Sequence, residues 1–369
     1  MKLRLATCVL ATIALVLVPL ASASAAARSP IPMLAYYYIW FNPASWNRAK
    51  TDYPILGRYS SDERRIIRRH IRWAKASGLT GFIVSWKSTA VLNDRLAKLI
   101  QVAAEEEFKL AIIYQGLDFF RDPLPVPRVA DDLRLFERRY GSETPFELFE
   151  KPLVILSGTW KFSVADIETI RSAAGPNVLF LASERNLAGY ERLSALVDGN
   201  AYYWSSVNPA TFPRYEEKLS ELAHAIHQRG GLWIAPAAPG FDARMIGGTS
   251  VVPRLDGQTL RTQVGVALRS SPDAIGLISW NEFSENSHVE PSEAFGGRYL
   301  KVLSSINSTE APDVSLFDSE SPAATGANYG IPLIAAAACI LVLGAATARA
   351  RARRRASDVS AENESSGET

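Results

Sequence analysis

The sequence predicts an α/β fold of the (β/α)8, or TIM-barrel, type between two hydrophobic terminal segments. Apolar, strand-like runs alternate with amphipathic helical stretches eight times, which is typical of parallel α/β folds. Aromatic, amide and acidic residues gather where the predicted strands end, which is where barrels of this type carry their functional groups. An open doubly wound sheet is the alternative, but no glycine-rich phosphate loop follows the first predicted strand.

The individual elements follow from periodicity and from turn residues. The predicted strands are residues 33–40, 81–86, 109–114, 153–157, 178–183, 201–204, 232–235 and 275–280. The predicted helices are residues 61–77, 91–106, 130–138, 164–173, 187–196, 214–229, 260–270 and 292–302. Ser60 and Ser61 are good capping residues for the first helix, and Gly78 lies where that helix should end.

Residues 1–25 have the pattern of a secretory signal peptide. Lys2 and Arg4 precede an apolar run that extends to Leu20, and small residues suited to cleavage follow it. We therefore expect residues 26–306 to be exported as the barrel. A retained N-terminal anchor is the competing interpretation.

The other end of the chain predicts a membrane anchor. Residues 331–348 are uncharged and apolar, and about 18 residues at 1.5 Å each span roughly 27 Å, close to the thickness of a hydrocarbon core. A cluster of arginines opens the segment 349–369, which indicates a cytoplasmic tail. We expect a single-pass protein of the cell membrane with an extracellular barrel on a flexible stalk at 307–330. A buried core helix is the alternative for residues 331–348.

Charge and cysteine content limit the possible partners. The formal net charge of +2 gives no reason to expect a nucleic-acid partner. Cys8 and Cys339 both fall in the terminal hydrophobic segments, so the exported domain would contain no disulfide. We expect a monomer that is stabilised by its hydrophobic core, and we interpret the arginines at 64–69 as a solvated helix face.

The loop after the eighth predicted strand contains two carboxylates, Glu282 and Glu285. Cleavage of a glycosidic bond requires one carboxyl group that protonates the leaving oxygen and a second that acts on the other face of the sugar. Glu282 and Glu285 are therefore the candidate catalytic residues. The alternative is an acidic, solvated loop that caps the strand.

Other strand-end residues are candidates for binding a carbohydrate. Aromatic rings can pack on the apolar faces of sugars, and amide groups can bind hydroxyls. The candidates are Tyr37, Tyr38, Trp40, Trp86, Tyr203, Trp204, Trp280, Asn281 and His288. Core packing is the alternative for any one of the aromatic residues, and a loop hydrogen bond is the alternative for His288.

Three segments carry a family resemblance. They are Tyr-Tyr-Ile-Trp-Phe at 37–41, Tyr-Ser-Ser-Asp at 59–62 with Gly-Phe-Ile-Val-Ser-Trp at 81–86, and Ile-Ser-Trp-Asn-Glu-Phe-Ser-Glu at 278–285 with Val-Glu-Pro at 289–291. Together they make the chain resemble glycoside hydrolase family 99 and its family-99-like relatives, which include endo-α-mannosidases. The resemblance covers about residues 31–305.

This resemblance implies a retaining glycosidase without metal or organic cofactor. It implies that Glu282 acts as a base on the 2-hydroxyl of the substrate through an anhydro-sugar intermediate. It also implies that Glu285 protonates the leaving oxygen and then activates water. The chain differs from the family pattern at Phe283, Ser284 and Asn286, which we expect beside the scissile bond. We therefore expect an oligo- or polysaccharide substrate, α-mannan-like by the resemblance, and an enzyme of altered specificity.

Two other functional classes remain open at this stage. One is a surface lectin, which is a barrel that binds a glycan without cleaving it. The presence of both Glu282 and Glu285 argues against a lectin. A metal-dependent hydrolase would need a cluster of ligands at the strand ends. His224 and His227 share a predicted helix instead, so we predict no metal site.

Overall fold

Eight parallel strands close into a barrel in the computed structural model, which describes residues 31–48, 50–310, 312 and 314. The strands follow the order β1-β10-β7-β6-β5-β4-β3-β2 around the barrel. They are β1 (Met33–Tyr38), β2 (Gly81–Trp86), β3 (Lys109–Tyr114), β4 (Leu153–Leu156), β5 (Leu179–Ala182), β6 (Gly199–Ala201), β7 (Leu232–Ala237) and β10 (Ala274–Leu277). The predicted TIM barrel is confirmed.

Helices follow the strands and form the outer layer. They are α1 (Arg64–Ala76), α2 (Ala90–Glu105), α3 (Val126–Tyr140), α4 (Val164–Ala174), α5 (Leu187–Leu193), α6 (Tyr215–His227), α7 (Gln258–Arg269) and α8 (Arg298–Asn307). Two short strands, β8 (Phe241–Asp242) and β9 (Val251–Val252), form an antiparallel pair between β7 and α7. The 3-10 helix Thr159–Lys161 follows β4.

Several predicted boundaries differ from the structure, and three of them have an evident structural reason. Helix α1 begins at Arg64, and Ser61 accepts a hydrogen bond from the Phe41 amide instead of capping the helix. Strand β6 begins at Gly199, where the backbone of Leu232 approaches so closely that a Cβ would lie 2.1 Å from the Leu232 oxygen. Helix α8 begins at Arg298, because the residues that precede it form turns.

The barrel interior is filled by alternate residues of the strands. Inward-facing side chains include Leu34 and Tyr36 of β1, Ile83 of β2 and Ile113 of β3. Their neighbours in each strand point outward and are covered by the helices, because successive side chains of a strand lie on opposite faces. This alternation decides which strand-end residues can reach the mouth of the barrel.

The basic face of α1 is neutralised by acids at the end of α2. Arg64 lies 2.7 Å from a carboxylate oxygen of Glu105, and Arg72 lies 2.9 Å from one of Glu106. The arginines are half exposed, which agrees with a solvated face, and their charges already have partners.

The predicted signal peptide, transmembrane helix and cytoplasmic tail lie outside the described residues, as does most of the stalk. Within the part of the chain that the structure describes, no helix combines the length and the apolar composition needed to cross a membrane.

Candidate active site

The loop that follows β10 folds back on itself and holds Glu282 at the mouth of the barrel. The amide of Ser287 donates to the carbonyl of Glu282 at 3.2 Å, and the amide of Val289 donates to the carbonyl of Trp280 at 3.0 Å. The hydroxyl of Ser279 accepts a hydrogen bond from the Glu282 amide at 2.8 Å. These bonds fix the backbone on both sides of the carboxylate.

Glu282 is a buried acid with few groups to stabilise its charge. The residue is only 7% exposed to solvent, and one of its carboxylate oxygens accepts a hydrogen bond from the Ser284 amide at 3.0 Å. Burial, followed by the nearby charge of Glu285, raises the pKa of Glu282 to about 8, although Ser284 and Lys50 oppose the shift. The environment of Glu282 therefore disfavours its ionised form in the free protein.

Glu285 is half-buried and interacts electrostatically with Glu282. Burial raises its pKa, and the positive charge of Arg121 opposes this shift. The carbonyl of Glu285 accepts from the amide of Asp242 at 2.8 Å, so the β8–β9 pair supports this part of the loop. The two glutamates thus form a coupled acid pair of the type that acid–base catalysis uses.

Two tyrosines complete the cluster around the glutamates. The hydroxyls of Tyr38, at the end of β1, and Tyr203, after β6, share a hydrogen bond. Burial raises the pKa of both phenols, and the charges of Glu282 and Glu285 raise them further. Trp40 stacks on Tyr38 with 4.4 Å between the ring centroids and is 41% exposed. The structure therefore places these predicted site residues together at the mouth.

Asn281 has a structural position instead of one facing the mouth. Its carboxamide accepts from the Tyr38 amide at 2.9 Å and donates to the Tyr38 carbonyl at 3.0 Å. The residue is fully buried. The Asn281 side chain thereby continues the pairing of β1 and β10 beyond the end of the β10 backbone.

The expected substrate contacts of Tyr37, Trp86 and Trp280 are not available in this structure, because all three side chains are fully buried behind the barrel wall. Tyr37 stacks on Phe82 at 4.4 Å, and the Trp86 indole donates to Asn93. Tyr37 and Trp86 occupy outward-facing positions of their strands, so they pack beneath the helices. Core packing, the alternative interpretation, describes them correctly.

His288 is also fully buried and belongs to a loop network. Its Nε2 lies 3.0 Å from a carboxylate oxygen of Asp52, and Arg254 donates to its carbonyl at 2.9 Å. Burial and the charge of Arg254 lower the pKa of His288 to about 4. Burial would raise the pKa of Asp52, but hydrogen bonds from His288, Ser292 and the Ala294 amide lower it to about 2. The expected substrate contact of His288 is therefore replaced by the loop hydrogen bond.

The three departures from the family pattern also have structural positions. Phe283 is 1% exposed and stacks on the His288 ring with 4.0 Å between centroids. Ser284 supplies the amide that binds Glu282, and the Asn286 carbonyl accepts from Arg254 at 2.8 Å. Phe283 packs within the loop, so its side chain is not exposed to a substrate in this structure.

A second buried acid, Glu290, was not among the predicted site residues. One of its carboxylate oxygens accepts from the hydroxyl of Tyr59 at 2.8 Å, and the other lies 3.0 Å from His70 Nε2. His70 also contacts the Tyr37 hydroxyl at 3.0 Å. This network joins the end of the loop to α1.

Other polar residues near the mouth were missed because they lie in loops that the sequence pattern does not resolve. Lys50 and Arg121 are near enough to affect the pKa values of Glu282 and Glu285, respectively. Trp204, a predicted binding residue, is half-buried, and its ring centroid lies 5.1 Å from the Arg185 guanidinium. The Trp160 ring centroid lies 4.6 Å from the same guanidinium. A position shortly after a strand was the available signal for Arg185.

The described residues contain no group of three or more His, Cys, Asp and Glu side chains that could hold a metal ion. His227 lies instead on the outer face of α6, 3.0 Å from a carboxylate oxygen of Asp273.

Comparison with known proteins places this geometry in context. No family model matches the chain. In sequence, it is similar to a glycoprotein endo-alpha-1,2-mannosidase-like protein from Danio rerio, with 22% identity over 286 residues, 68% of this chain and 62% of that protein. The corresponding protein from Homo sapiens is 20% identical over 265 residues, 64% of this chain and 56% of that protein. The chain thus spans about three fifths of the length of these curated relatives.

Solved structures show the same fold. A GH99 endo-alpha-mannosidase from Bacteroides thetaiotaomicron superimposes with a TM-score of 0.66 at 20% identity, covering 75% of this chain and 96% of that one. A glycoside hydrolase-like protein superimposes with a TM-score of 0.57 at 17% identity over the same shares. The resemblance to glycoside hydrolase family 99 that the strand-end motifs indicate is thus confirmed, in sequence by endo-alpha-mannosidase-like relatives and in structure by a common barrel.

Proposed function

We propose that this chain is a glycoside hydrolase that cleaves an oligo- or polysaccharide with Glu282 and Glu285. The observation that supports this most directly is the pair of electrostatically coupled carboxyl groups at the C-terminal mouth of the barrel. Both pKa values are raised, so one carboxyl group can hold a proton while its partner is ionised. Tyr38, Tyr203 and the exposed face of Trp40 provide a surface on which a sugar can lie.

The roles of the two acids follow from the family resemblance. In the proposed mechanism, Glu282 removes the proton from the 2-hydroxyl of the substrate, and Glu285 protonates the departing oxygen. Glu285 then activates the water that opens the anhydro intermediate, which retains the configuration of the sugar.

The electrostatics of the free protein introduce a second possibility for these roles. Glu282 is the more deeply buried acid, and its pKa is raised to about 8, whereas the positive charge of Arg121 favours ionisation of Glu285. A base must be ionised to act, so the environment of Glu282 in the free protein opposes the role that the resemblance implies for it. The alternative is that Glu282 is the acid and Glu285 the base. The two assignments predict different responses to the leaving group.

The experiment uses Glu282→Gln and Glu285→Gln, with the exposed loop residue Glu293→Gln as the matched control. Release of reducing ends is measured with α-mannans, α-glucans and cell-envelope glycans. We expect turnover to fall by about 10²- to 10⁴-fold in each of the first two variants and to be unchanged in the control. Full activity of either glutamine variant would remove that residue from the mechanism.

A substrate with an activated leaving group distinguishes the roles of the two glutamates. A glycoside with a good leaving group needs no proton donor, so the variant that lacks the acid should recover most of its activity on it. We expect this recovery in Glu285→Gln and not in Glu282→Gln. Recovery in Glu282→Gln alone would exchange the two roles. A lectin would show no wild-type turnover and would keep its glycan affinity in both variants.

We also propose that the enzyme works at the cell surface. Its support is the sequence pattern of the two ends, with a signal-like segment at 1–25 and an apolar segment at 331–348 followed by arginines. The substrate would then be an extracellular or cell-envelope glycan.

A further inference from the structure

A group of positive side chains packed against aromatic rings lies beside the proposed active site. Arg185 lies in the loop after β5, and its guanidinium carbon lies 4.6 Å from the ring centroid of Trp160 and 5.1 Å from that of Trp204. The two indoles are 6.1 Å apart and tilted by 63°. Arg185 is exposed, so solvent can reach its donors, while the rings restrict the positions that the guanidinium can take.

A second cation, Lys218, lies near Arg185 in the first turn of α6. Its ammonium group donates to the Tyr202 hydroxyl at 3.0 Å and lies 5.3 Å from the ring of Phe212. Burial lowers the pKa of Lys218, and the positive charge of Arg185 lowers it further. The two cations also contact neighbouring aromatic residues, since Lys218 binds Tyr202 and Arg185 packs on Trp204, two residues further along the chain.

Neither cation has a carboxylate partner among the residues that the structure describes. This differs from nearby basic residues, since Arg192 pairs with Glu184 at 2.9 Å and Arg269 pairs with Glu216 at 2.6 Å. Two neighbouring positive charges without an acid between them cost stability. A protein keeps such an arrangement where it serves function, and a negatively charged ligand would remove the repulsion.

The chain connects this group directly to the active site. Tyr202, Tyr203 and Trp204 are consecutive, and Tyr203 shares a hydrogen bond with Tyr38 at the glutamate pair. A sugar bound at the glutamates would reach Arg185 by extending past Tyr203 to the next residue, Trp204, on which Arg185 packs. Arg121, which influences both Tyr203 and Glu285, adds positive charge to the same region.

We propose that Arg185 and Lys218 form a subsite for a negatively charged group on the glycan substrate, with Trp160 and Trp204 packing against the sugar that carries it. A guanidinium binds carboxylates and phosphates through paired hydrogen bonds, and these two groups are the chemistry that the subsite accepts. This inference rests on the proposed function, because it specifies the substrate of the same site as an acidic glycan.

The test measures binding by calorimetry with the full chain in detergent, in a Glu285→Gln background that prevents turnover. The probes are a neutral α-manno-oligosaccharide and two counterparts of equal length, one with a phosphate ester and one with a uronic acid in place of a neutral sugar. We expect at least one charged probe to bind about five- to tenfold more tightly than the neutral one. The preference should decrease as salt concentration increases.

Arg185→Gln should remove this preference, and Lys218→Gln should reduce it. The control is Arg139→Gln, because Arg139 is also exposed and lies 5.2 Å from a tyrosine ring, but at the far end of α3. Preference for the phosphate or the uronate probe identifies the charged group. Equal or no binding of the charged and neutral probes, or an unchanged preference in Arg185→Gln, would overturn the inference.

Failure of this subsite can be distinguished from failure of the proposed hydrolase function. Turnover of neutral glycans by the wild-type chain without any charge preference would leave the glycosidase in place and remove this subsite. Charge preference that depends on Arg185, without turnover of any glycan, would retain the subsite and reject the hydrolase.

Discussion

Glu282 is the residue at which the requirements of folding and of chemistry oppose each other. A carboxyl group with one amide donor, buried next to a second acid, is costly to ionise. The same environment supplies a group that can exchange a proton near neutral pH, which acid–base catalysis requires. The cost should therefore be visible as a dependence of stability on pH.

Glu282→Gln should stabilise the protein at alkaline pH. The pKa of Glu282 is about 8 in the folded protein, compared with the ordinary value of 4.5. Between these values the folded state binds more protons than the unfolded state, so the free energy of unfolding decreases as pH rises, by at most roughly 1.4 kcal/mol per pH unit. Glutamine has no proton to lose, so the variant escapes this decrease.

Chemical denaturation at pH 4 and pH 8 measures the effect. The free energies of unfolding of Glu282→Gln and wild type should differ little at pH 4, and the variant should be more stable at pH 8. Glu293→Gln should match the wild type at both values. A variant that is equally or less stable than wild type at pH 8 would show that Glu282 ionises freely in the folded protein.

At the scale of secondary-structure elements, the contact between β1 and β10 depends on a side chain. The β10 backbone leaves the sheet after Leu277, and Asn281 then pairs with both polar backbone groups of Tyr38. Asn281→Ala leaves a buried amide and a buried carbonyl without these partners. Each unsatisfied group costs about 1–3 kcal/mol, so we expect a loss of about 2–5 kcal/mol in the free energy of unfolding.

Denaturation of Asn281→Ala and of an exposed control, Asn47→Ala, tests this role. Asn47 accepts a hydrogen bond from Arg58 at the surface, so its replacement should cost less than about 0.5 kcal/mol. Similar small losses in both variants would mean that water or a shift of the loop replaces the Asn281 bonds.

The same region shows how far the sequence predicts the structure. Apolar periodicity identified all eight barrel strands, because each strand is buried and bounded by polar turns. Alternation along β1 would also have separated inward-facing Tyr38 from outward-facing Tyr37, since Leu34 and Tyr36 lie in the barrel interior. Our substrate-binding list did not apply that alternation, and it therefore included residues that pack beneath the helices.

Such patterns could not predict contacts between distant parts of the chain. His288 binds Asp52, which is 236 residues away, and Glu290 binds His70 across 220 residues. Periodicity reports local burial and carries no information on which polar side chains meet after folding. The Glu282–Glu285 pair could be predicted because both acids lie on one loop, whereas the charges that influence them, Lys50 and Arg121, lie on others.

At the scale of the whole molecule, the barrel carries its candidate catalytic residues at one end. The mouth contains the acid pair and the exposed Trp40, and the Arg185–Lys218 group lies in the segments that follow β5 and β6. The outer helices neutralise much of their charge in pairs such as Arg64–Glu105. Such a distribution suits a protein whose partner approaches from one side.

We propose that the apolar segment 331–348 anchors the chain in the cell membrane, with the barrel outside the cell. Protease added to intact cells should then release a fragment that ends within residues 307–330, because this segment is rich in Ser, Ala and Asp and is expected to be an accessible stalk. The segment 349–369 should be cut only after the membrane is permeabilised. Antibodies against the barrel and against a C-terminal epitope tag can follow both fragments.

Cleavage of the tail in intact cells while the barrel stays protected would reverse the topology. Release of the uncut chain by salt alone would exclude a spanning segment, because an apolar helix in the bilayer is not displaced by ionic strength.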